Sequence, residues 1–570
     1  MRKLIILLLI CTTTTHAQEI EWQNTIGGSG RDISTVIQKT TDGGYLLGGV
    51  SQSNISGDKT EDSQGLEDYW LLKLDSMGNI QLQKTIGGNM EDDLMSVQQT
   101  TDGGYILGGY SQSDISGDKT ENSQGDYDYW VVKLDTIGNI QWQNTIGGNN
   151  QEFLNSIQQT TDGGYILGGM SQSDVSGDKT ENSQGGWDYW VLKLDSIGNV
   201  QWQNTIGGND DDFFSVIQQT TDGGYILGGT SNSNISGDKT EDIQGGYDYW
   251  VVKLDATGNI QWQNTIGGNS IDFLQSAQQT KDNGYILGGW SGSIISGDKT
   301  ENSQGGNDYW AVKLDSVGNI QWQNTIGGYY TDELFAIQQT NDNGFILGGA
   351  SESDISGDKT ENSQGDYDCW AVKLDSIGNI QWQNTIGGNS DDRLYSVQQT
   401  NDGGYILGGW SYSDISGDKT ENSQGDYDYW VVKLTDKFNL INGKIYIDAN
   451  SNTIQDSSEI NLPNRMITEQ NTGRFTFSQQ NGNYNVSVLD TGNFTASAAP
   501  LNYYNSVPLV HTAYFNSINQ TDSLNDFAFQ PNGVINDVCI NLTPVSLFHS
   551  GLDATYNISF VNNGTTTLTP

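Results

Sequence analysis

Short apolar runs alternate with glycine-rich polar turns along most of the chain, and the whole pattern repeats every 60 residues. One tryptophan marks the same place in each copy: Trp70, Trp130, Trp190, Trp250, Trp310, Trp370 and Trp430. No insertion or deletion interrupts the seven copies. Each copy is therefore predicted to form the same structural unit.

Four strands are predicted in each copy. In the second copy they cover residues 94–100 (strand A), 104–110 (strand B), 129–134 (strand C) and 140–146 (strand D). Strands B and C are apolar on both faces, which is typical of central strands, whereas strand D alternates like a half-exposed outer strand. Asp-Gly-Gly joins A to B and Gly-Asn joins C to D, so we predict hairpin turns of the primed type, which need positive φ.

The order of the strands predicts a closed ring. The sequence opens with a strand D at residues 20–26 that has no A, B or C before it, and the seventh copy ends after strand C at 429–434. We therefore predict an all-β fold, a seven-bladed β-propeller of four-stranded blades in which the N-terminal strand completes the last blade. Closure of this kind removes open sheet edges. The alternative, an open solenoid, leaves the first strand without a partner.

Three stretches of sequence resemble known families of surface proteins. The pattern DGGYILGG…DYWVVKLD…GNIQWQ resembles secreted propeller repeats of Bacteroidetes-type bacteria and is similar to the delta-60 propeller family, over residues 19–440. That resemblance implies the fold and no particular activity. GKIYIDANSNTIQDSSEINLPNRMI and GRFTFSQQNGNYNVSV resemble Sdr-type B-like, or carboxypeptidase-regulatory-like, β-sandwich modules. GLDATYNISFVNNGTTTLTP resembles the opening strands of an immunoglobulin-like surface repeat.

Four segments follow from these patterns. They are a signal peptide at 1–17, the propeller at 18–440, a β-sandwich at 441–526 and the start of an immunoglobulin-like domain at 527–570. The last segment is short beside the ~100 residues common for such a domain, so we expect a truncated gene product. Similar proteins carry a type IX secretion sorting tail, which this sequence lacks. The manner of surface anchoring therefore stays open.

The first residues predict export. Arg2 and Lys3 precede a short apolar run, and Thr15 and Ala17 fit the small-residue rule for cleavage before Gln18. A lipoprotein anchor at Cys11 is the less favoured alternative. We expect a secreted or cell-surface protein.

Charge and cysteine content narrow the choice of partners. The formal net charge is −45 at pH 7, which argues against nucleic acid and against anionic lipid as general partners. No segment after the leader is apolar enough to insert into a membrane. We expect the protein to be a monomer.

Cys369 and Cys539 lie in different regions, so a disulfide framework is not expected. Cys369 replaces the tyrosine of the other copies and is predicted to be a buried substitute.

Differences between the copies locate the candidate ligand surface. Propeller topology places the D–A and B–C loops on one rim and the short A–B and C–D turns on the other. The D–A loops, the end of strand B and the entry to strand C differ between copies, whereas the turns hardly change. Loops on a rigid scaffold commonly carry recognition.

Nine aromatic residues in these variable zones are the candidate ligand contacts: Tyr110, Trp187, Tyr247, Trp290, Tyr329, Tyr330, Tyr367, Trp410 and Tyr427. Aromatic faces stack on sugar rings or anchor protein partners. The alternative is that several of them pack beneath the long B–C loops.

Two loops carry oxygen ligands in patterns that suit Ca²⁺. Five residues occupy positions 1, 3, 5, 9 and 12 of an EF-hand-like loop: Asp448, Asn450, Asn452, Asp456 and Glu459. We predict a structural Ca²⁺ there, although Thr453 replaces the usual glycine, and a turn without an ion is the alternative. In each B–C loop, residues such as Asp118, Thr120 and Asn122 also alternate, but a self-bonded polar loop is the favoured interpretation.

The sequence argues against catalysis. The propeller segment contains no histidine and only two arginines, Arg31 and Arg393, and neither a GxSxG elbow nor a P-loop is present. Carboxylate pairs could serve glycoside hydrolysis, but the same acids recur in every blade. We therefore predict a non-enzymatic binding or adhesion scaffold whose ligand is a glycan or a protein. The alternatives are a spacer protein without a ligand and a carboxylate-dependent glycoside hydrolase.

Overall fold

The computed structural model describes residues 18–435, 439–471, 473, 475–488, 491–516, 520–533, 538–544 and 556–562, with the backbone alone for Glu19 and the last two segments. The chain divides into two units, Met1–Asp436 and Lys437–Pro570. Every regular element in the described ranges is a strand. These ranges hold no helix of the length and apolar character needed to cross a membrane. The predicted signal peptide at 1–17 lies outside them.

Seven four-stranded antiparallel sheets, each with the order A-B-C-D, make up the first unit. Strand A spans Asp32–Lys39, Asp92–Gln99, Glu152–Gln159, Asp212–Gln219, Asp272–Gln279, Asp332–Gln339 and Asp392–Gln399. Strand B spans Tyr45–Ser51, Tyr105–Ser111, Tyr165–Ser171, Tyr225–Ser231, Tyr285–Ser291, Phe345–Ser351 and Tyr405–Ser411. Strand C spans Asp68–Leu74, Asp128–Leu134, Asp188–Leu194, Asp248–Leu254, Asp308–Leu314, Asp368–Leu374 and Asp428–Thr435. Strand D spans Ile80–Ile86, Ile140–Ile146, Val200–Ile206, Ile260–Ile266, Ile320–Ile326, Ile380–Ile386 and, for the last sheet, Glu19–Ile26.

The N-terminal strand closes the ring, as the strand order predicted. Glu19–Ile26 pairs antiparallel with Asp428–Thr435, and Thr25 lies opposite Trp430. The Tyr429 hydroxyl donates to the Trp70 carbonyl at 3.1 Å, which joins the last sheet to the first. The predicted all-β propeller is confirmed, and each sheet is a blade, numbered 1 to 7 along the chain. The strand A of every blade lines the central channel.

Neighbouring blades are held together by the same buried contact. In blade 2 the Tyr129 hydroxyl donates to the carbonyl of Trp190 in blade 3 at 3.0 Å, and the two ring centroids lie 4.9 Å apart. Both side chains are fully buried. Cys369 is the exception among the copies, and it is buried with a free thiol, so its predicted role as a buried substitute is confirmed. Continuous apolar B and C strands are required because both of their faces pack against neighbouring blades.

The turn type differs from the prediction. Glycine or asparagine does adopt positive φ in the turns, for example 82° at Gly103 and 64° at Asn283. However, only one residue per turn lies in that region, whereas a primed turn of type I′ needs two. In blade 2 the N–H of Thr100 donates to the Gly104 carbonyl and the N–H of Gly103 to the Thr100 carbonyl. This pattern is a three-residue hairpin loop, which needs a single left-handed residue.

The second unit contains a β-sandwich. One sheet has the order Asn483–Val488, Asn439–Ile447, Phe527–Pro531 and Tyr504–Val507, with Thr521–Asp522 pairing separately with Asn439–Ile447. The other has the order Phe475–Phe477, Met466–Glu469, Gly492–Ala498 and His511–Phe515. Their inner faces share one core, in which Ile441, Phe527 and Phe529 from the first sheet meet Ile467 and Phe494 from the second.

The boundaries of this sandwich differ from the predicted 441–526. Residues 439 and 440 belong to its first strand, and Phe527–Pro531, expected in the following domain, pairs parallel with Asn439–Ile447. Phe527 and Phe529 are buried in the sandwich core, which explains why this strand belongs there. Val538–Pro544 and Tyr556–Asn562 form an antiparallel hairpin further along the chain.

Candidate functional site

The D–A and B–C loops form one rim of the propeller, the loop rim. At the start of blade 2 the backbone N–H groups of Asn89 and Met90, in the D–A loop, donate to the hydroxyls of Ser116 and Ser113 in the B–C loop at 3.0 and 2.9 Å. The A–B and C–D turns form the opposite turn rim. The prediction that all variable zones share one rim therefore agrees with the structure.

The B–C loops are satisfied by their own hydrogen bonds. In blade 2 the Asn122 side chain accepts the Ile115 N–H at 3.0 Å, and the Asp118 carboxylate accepts from the Gln64 amide of the preceding blade. Equivalent Gln–Asp bonds join all seven pairs of neighbouring loops, including Gln424 of blade 7 to Asp58 of blade 1. These contacts favour the self-bonded loop over a calcium site in each blade.

The first residue of each strand A, which the sequence prediction placed in the variable D–A loop, has a structural role. Asp92 is the first residue of strand A, is fully buried and accepts the Gly88 N–H at 2.6 Å. Burial raises its pKa above the ordinary value, although hydrogen bonds from Ser111, Gly88 and Ser113 oppose the rise. An acid at this position recurs in all seven copies, as Glu152 in blade 3. The variable part of the zone is therefore shorter than the sequence suggested.

A further variable position on the loop rim is the second residue of strand A, which the sequence prediction had left out of the strand. Its occupants are Ile33, Asp93, Phe153, Phe213, Phe273, Glu333 and Arg393. Each lies directly opposite the variable residue of strand B, so that Phe273 faces Trp290 and Arg393 faces Trp410. The signal was present in the sequence, because five different residue types occupy this position in the seven copies.

Blades 2 and 3 carry the first aromatic cluster. Tyr110, Tyr127 and Trp187 surround Phe153, with ring centroids 4.7, 5.3 and 5.2 Å from the Phe153 ring. All four side chains are half-buried, so parts of their rings remain open to solvent. The predicted contacts Tyr110 and Trp187 are thus brought together by a phenylalanine that the prediction missed.

Blades 4 and 5 carry the second aromatic cluster. Phe213 stacks on Tyr247 with centroids 5.6 Å apart and lies 6.4 Å from Phe273. Phe273 in turn stacks on Trp290 at 5.3 Å, with the ring planes only 10° apart. The predicted contacts Tyr247 and Trp290 are therefore joined in one half-buried arc.

Blades 6 and 7 replace the aromatic residue of strand A with charge. The Arg393 guanidinium lies over the Tyr367 ring at 4.1 Å and over the Trp410 ring at 5.9 Å, and Nη1 contacts Glu333 Oε2 at 3.2 Å. Trp410 is only 7% exposed and packs edge-on against Tyr427. The predicted ligand contact Trp410 is thus buried here between the Tyr427 ring and the Arg393 guanidinium.

An acidic group lies at blades 1 and 2. Arg31 pairs with Glu67, and the half-buried carboxyl of Asp93 lies beside Tyr110. Burial raises the pKa of Asp93 to about 8, and the neighbouring acids Glu67 and Glu91 add to the rise. The loop rim thus has an aromatic side and a polar side around one channel mouth.

Tyr329 and Tyr330 belong to none of these groups of side chains. They lie in the D–A loop between blades 5 and 6 and are 70% and 52% exposed, with their rings edge to face at 5.4 Å. They are the most exposed of the nine predicted residues.

The five predicted calcium ligands lie in one loop that follows the strand Asn439–Ile447. The side-chain amides of Asn450 and Asn452 donate to Asp456 Oδ2 at 2.6 and 3.2 Å, and Glu459 Oε1 accepts the Ala449 N–H. No group of three acidic, cysteine or histidine side chains is close enough to hold a metal in the described part of the chain.

The backbone of this loop nevertheless turns at the position where an EF-hand-like loop has its glycine. Thr453, at the position where glycine is usual, has a φ of 64°. Its N–H donates to Asp448 Oδ2 at 2.8 Å, and Gln530 Nε2 donates to the same oxygen. Burial acts to raise the pKa of Asp448, but these hydrogen bonds outweigh it and lower the pKa. A negatively charged loop rich in oxygen donors fits a hard cation.

No family model matches the chain. A stretch of 309 residues is 24% identical to the regulatory protein FlaEY of Caulobacter vibrioides, covering 50% of this chain and 31% of that protein. The chain thus spans about a third of the length of that curated relative.

Solved structures similar to this chain include the Pan2 WD40 domain of Neurospora crassa, at 11% identity over 73% of this chain and 97% of that one, with a TM-score of 0.39. A protein of unknown function from Dyadobacter fermentans is 10% identical over 73% of this chain and 98% of that one, with a TM-score of 0.38. The resemblance to Bacteroidetes-type repeats and to Sdr-type modules stays a prediction.

Proposed function

We propose that this protein is an exported binding scaffold whose loop rim recognises a glycan. The single observation that carries the proposal is the collection of variable positions around one channel mouth, on a frame that is nearly identical in all seven blades. The leader pattern at the N-terminus supports export. A protein ligand at the same rim, a spacer without a ligand and a hydrolase are the other outcomes of the test.

The half-buried aromatic arc favours a sugar ring over other ligands. Phe273 and Trp290 are nearly parallel and fixed by packing, so a ligand that stacks on them loses little side-chain entropy on binding. On the other blades of the loop rim, Arg393, Glu333 and Asp93 supply donors and acceptors for hydroxyl groups. Flat apolar faces together with hydroxyl edges are the chemistry of a glycan.

A glycan array probed with the full chain tests the function. We expect binding to a restricted set of glycans, and at least a tenfold loss of affinity for Trp290→Ala. Trp202→Ala is the matched control, because Trp202 is also half-buried and packs on a tyrosine, at 5.9 Å, but lies on outer strand D. An array and surface pull-downs that retain no ligand, or equal losses in both variants, would contradict the proposal.

We also propose that the loop at 448–459 holds a structural Ca²⁺ through its carboxylate and amide oxygens. Removal of the ion with EGTA is expected to lower the unfolding midpoint of the second unit, since a ligand at 100 times its Kd stabilises by about 2.7 kcal/mol. Asp456→Asn should abolish this response, whereas Asp135→Asn, a turn residue of the propeller, should retain it. An unfolding midpoint that EGTA leaves unchanged would contradict the calcium assignment.

A further inference from the structure

A second candidate site lies at the other end of the channel. At the turn rim the seventh residue of every strand A is glutamine, and these side chains line one cavity of about 280 Å³: Gln38, Gln98, Gln158, Gln218, Gln278, Gln338 and Gln398. Since one water occupies about 30 Å³ in the liquid, this space holds several waters or a small ion with part of its shell. This site is separate from the loop rim and does not depend on the proposed function.

The orientation of each carboxamide is fixed by the neighbouring blade. Gln98 Oε1 accepts the backbone N–H of Gln159 at 2.6 Å, and the equivalent bond recurs around all seven blades at 2.6–3.0 Å. A backbone N–H can only donate, so the atom facing it must be the oxygen and the amide cannot be flipped. We call this closed circle the glutamine belt.

The belt leaves seven NH₂ groups without a partner. No hydrogen bond runs from the Nε2 atoms of the belt to any residue in the described part of the chain. Each Nε2 carries two N–H donors, and the seven groups lie around the same cavity. Apolar side chains such as Val97, Ile157 and Ile337 line the cavity with them, together with the serines Ser96, Ser276 and Ser396.

The charges near the belt do not oppose an anion as strongly as the net charge suggests. The aspartate of each A–B turn pairs with a strand C lysine, as Asp102 does with Lys133 at 3.0 Å. Lys39 follows Gln38 and adds a positive charge where the other copies carry glutamine. The C–D turn aspartates such as Asp135 are half-buried and lie between the two outer strands of each blade, and salt at ~0.15 M screens their field within about 8 Å.

We propose that the glutamine belt binds a small oxyanion on the channel axis, such as sulfate or phosphate or the same group at the end of a larger molecule. Several fixed N–H donors that line one cavity can together satisfy the acceptor oxygens of such an ion. Their fixed orientation means that little reorganisation accompanies binding.

Crystals of the full chain soaked in sodium selenate provide the direct test. We expect an anomalous selenium peak on the channel axis within hydrogen-bond distance of the Nε2 atoms. Titration calorimetry with sulfate, phosphate and a sulfated sugar, at constant ionic strength in chloride, then separates the free ion from a terminal group. The proposal is overturned if no peak appears at the belt.

Variants supply a second test that preserves the fold. In Gln218→Glu/Gln338→Glu the carboxylates keep an oxygen for the backbone N–H of the next blade but lose the NH₂ donors. We expect at least tenfold weaker sulfate binding. Gln219→Glu/Gln339→Glu is the matched control with the same charge change, because these neighbouring side chains accept the N–H of Thr161 and Lys281 outside the belt. If both double variants lose sulfate affinity equally, the loss is due to the change in net charge, and the proposed site is refuted.

Discussion

The two ends of strand A follow opposite rules. At the loop rim its second residue ranges from isoleucine to arginine among the seven copies, whereas at the turn rim its seventh residue is always glutamine. Both positions lie beside the same channel. They differ in whether the side chain makes a hydrogen bond to the backbone of the neighbouring blade.

The glutamine has a backbone partner in the next blade, and the second residue has none. Loss of a belt carboxamide leaves a buried N–H without an acceptor, which typically costs about 1–3 kcal/mol. The second residue of strand A packs against other variable side chains, as Phe273 does against Trp290. Sequence variation is therefore tolerated where a side chain packs only against other side chains. It is excluded where a side chain bonds to the backbone of the next blade.

The sharpest way to break this comparison uses two tryptophans of blade 3. Trp190 is constant and fully buried, and Trp187 is variable and half-buried on the loop rim. Trp190→Ala is expected to lower the free energy of unfolding by about 3–5 kcal/mol, because it leaves a cavity between blades. Trp187→Ala should cost about 1 kcal/mol or less. Denaturant unfolding followed by circular dichroism measures both.

The same two variants should behave in the reverse order in a binding assay. Trp187→Ala is expected to weaken retention of any glycan identified on the array, while the folded fraction of Trp190→Ala should retain it. If Trp187→Ala destabilises the protein as much as Trp190→Ala, the loop rim belongs to the frame and the separation of the two rims fails.

Much of the fold could be predicted from the sequence because its determinants are local. Apolar B and C strands, alternating strand D and glycine at the positive-φ position of each turn all follow from pattern alone. The unpaired first strand predicted closure because a sheet edge needs a partner. The turn type was wrong because it depends on the register between strands, which is set by the pairing across the whole hairpin.

The candidate site was harder to predict. Strand A was expected to begin at 94 because Glu91 and Asp92 resemble loop residues, but Asp92 is buried and bonded to the Gly88 N–H. That error removed residue 93 and its equivalents, and with them Phe153 and Phe273, from the candidate set. The buried Trp410 ring lies under Arg393 from strand A, a contact that no single-strand pattern contains.

A smaller effect is expected at the one blade junction that lacks the interblade tyrosine. In the other six copies this hydroxyl donates to the next blade's tryptophan carbonyl at 2.9–3.2 Å, and the rings lie 4.8–4.9 Å apart. Cys369→Tyr should restore both contacts with Trp430 and raise the free energy of unfolding by about 1–2 kcal/mol. Cys369→Phe restores the ring without the hydroxyl and should recover only part of this gain. If both variants destabilise the protein, the frame at this junction has closed around the smaller side chain, and its constancy does not extend to all seven blades.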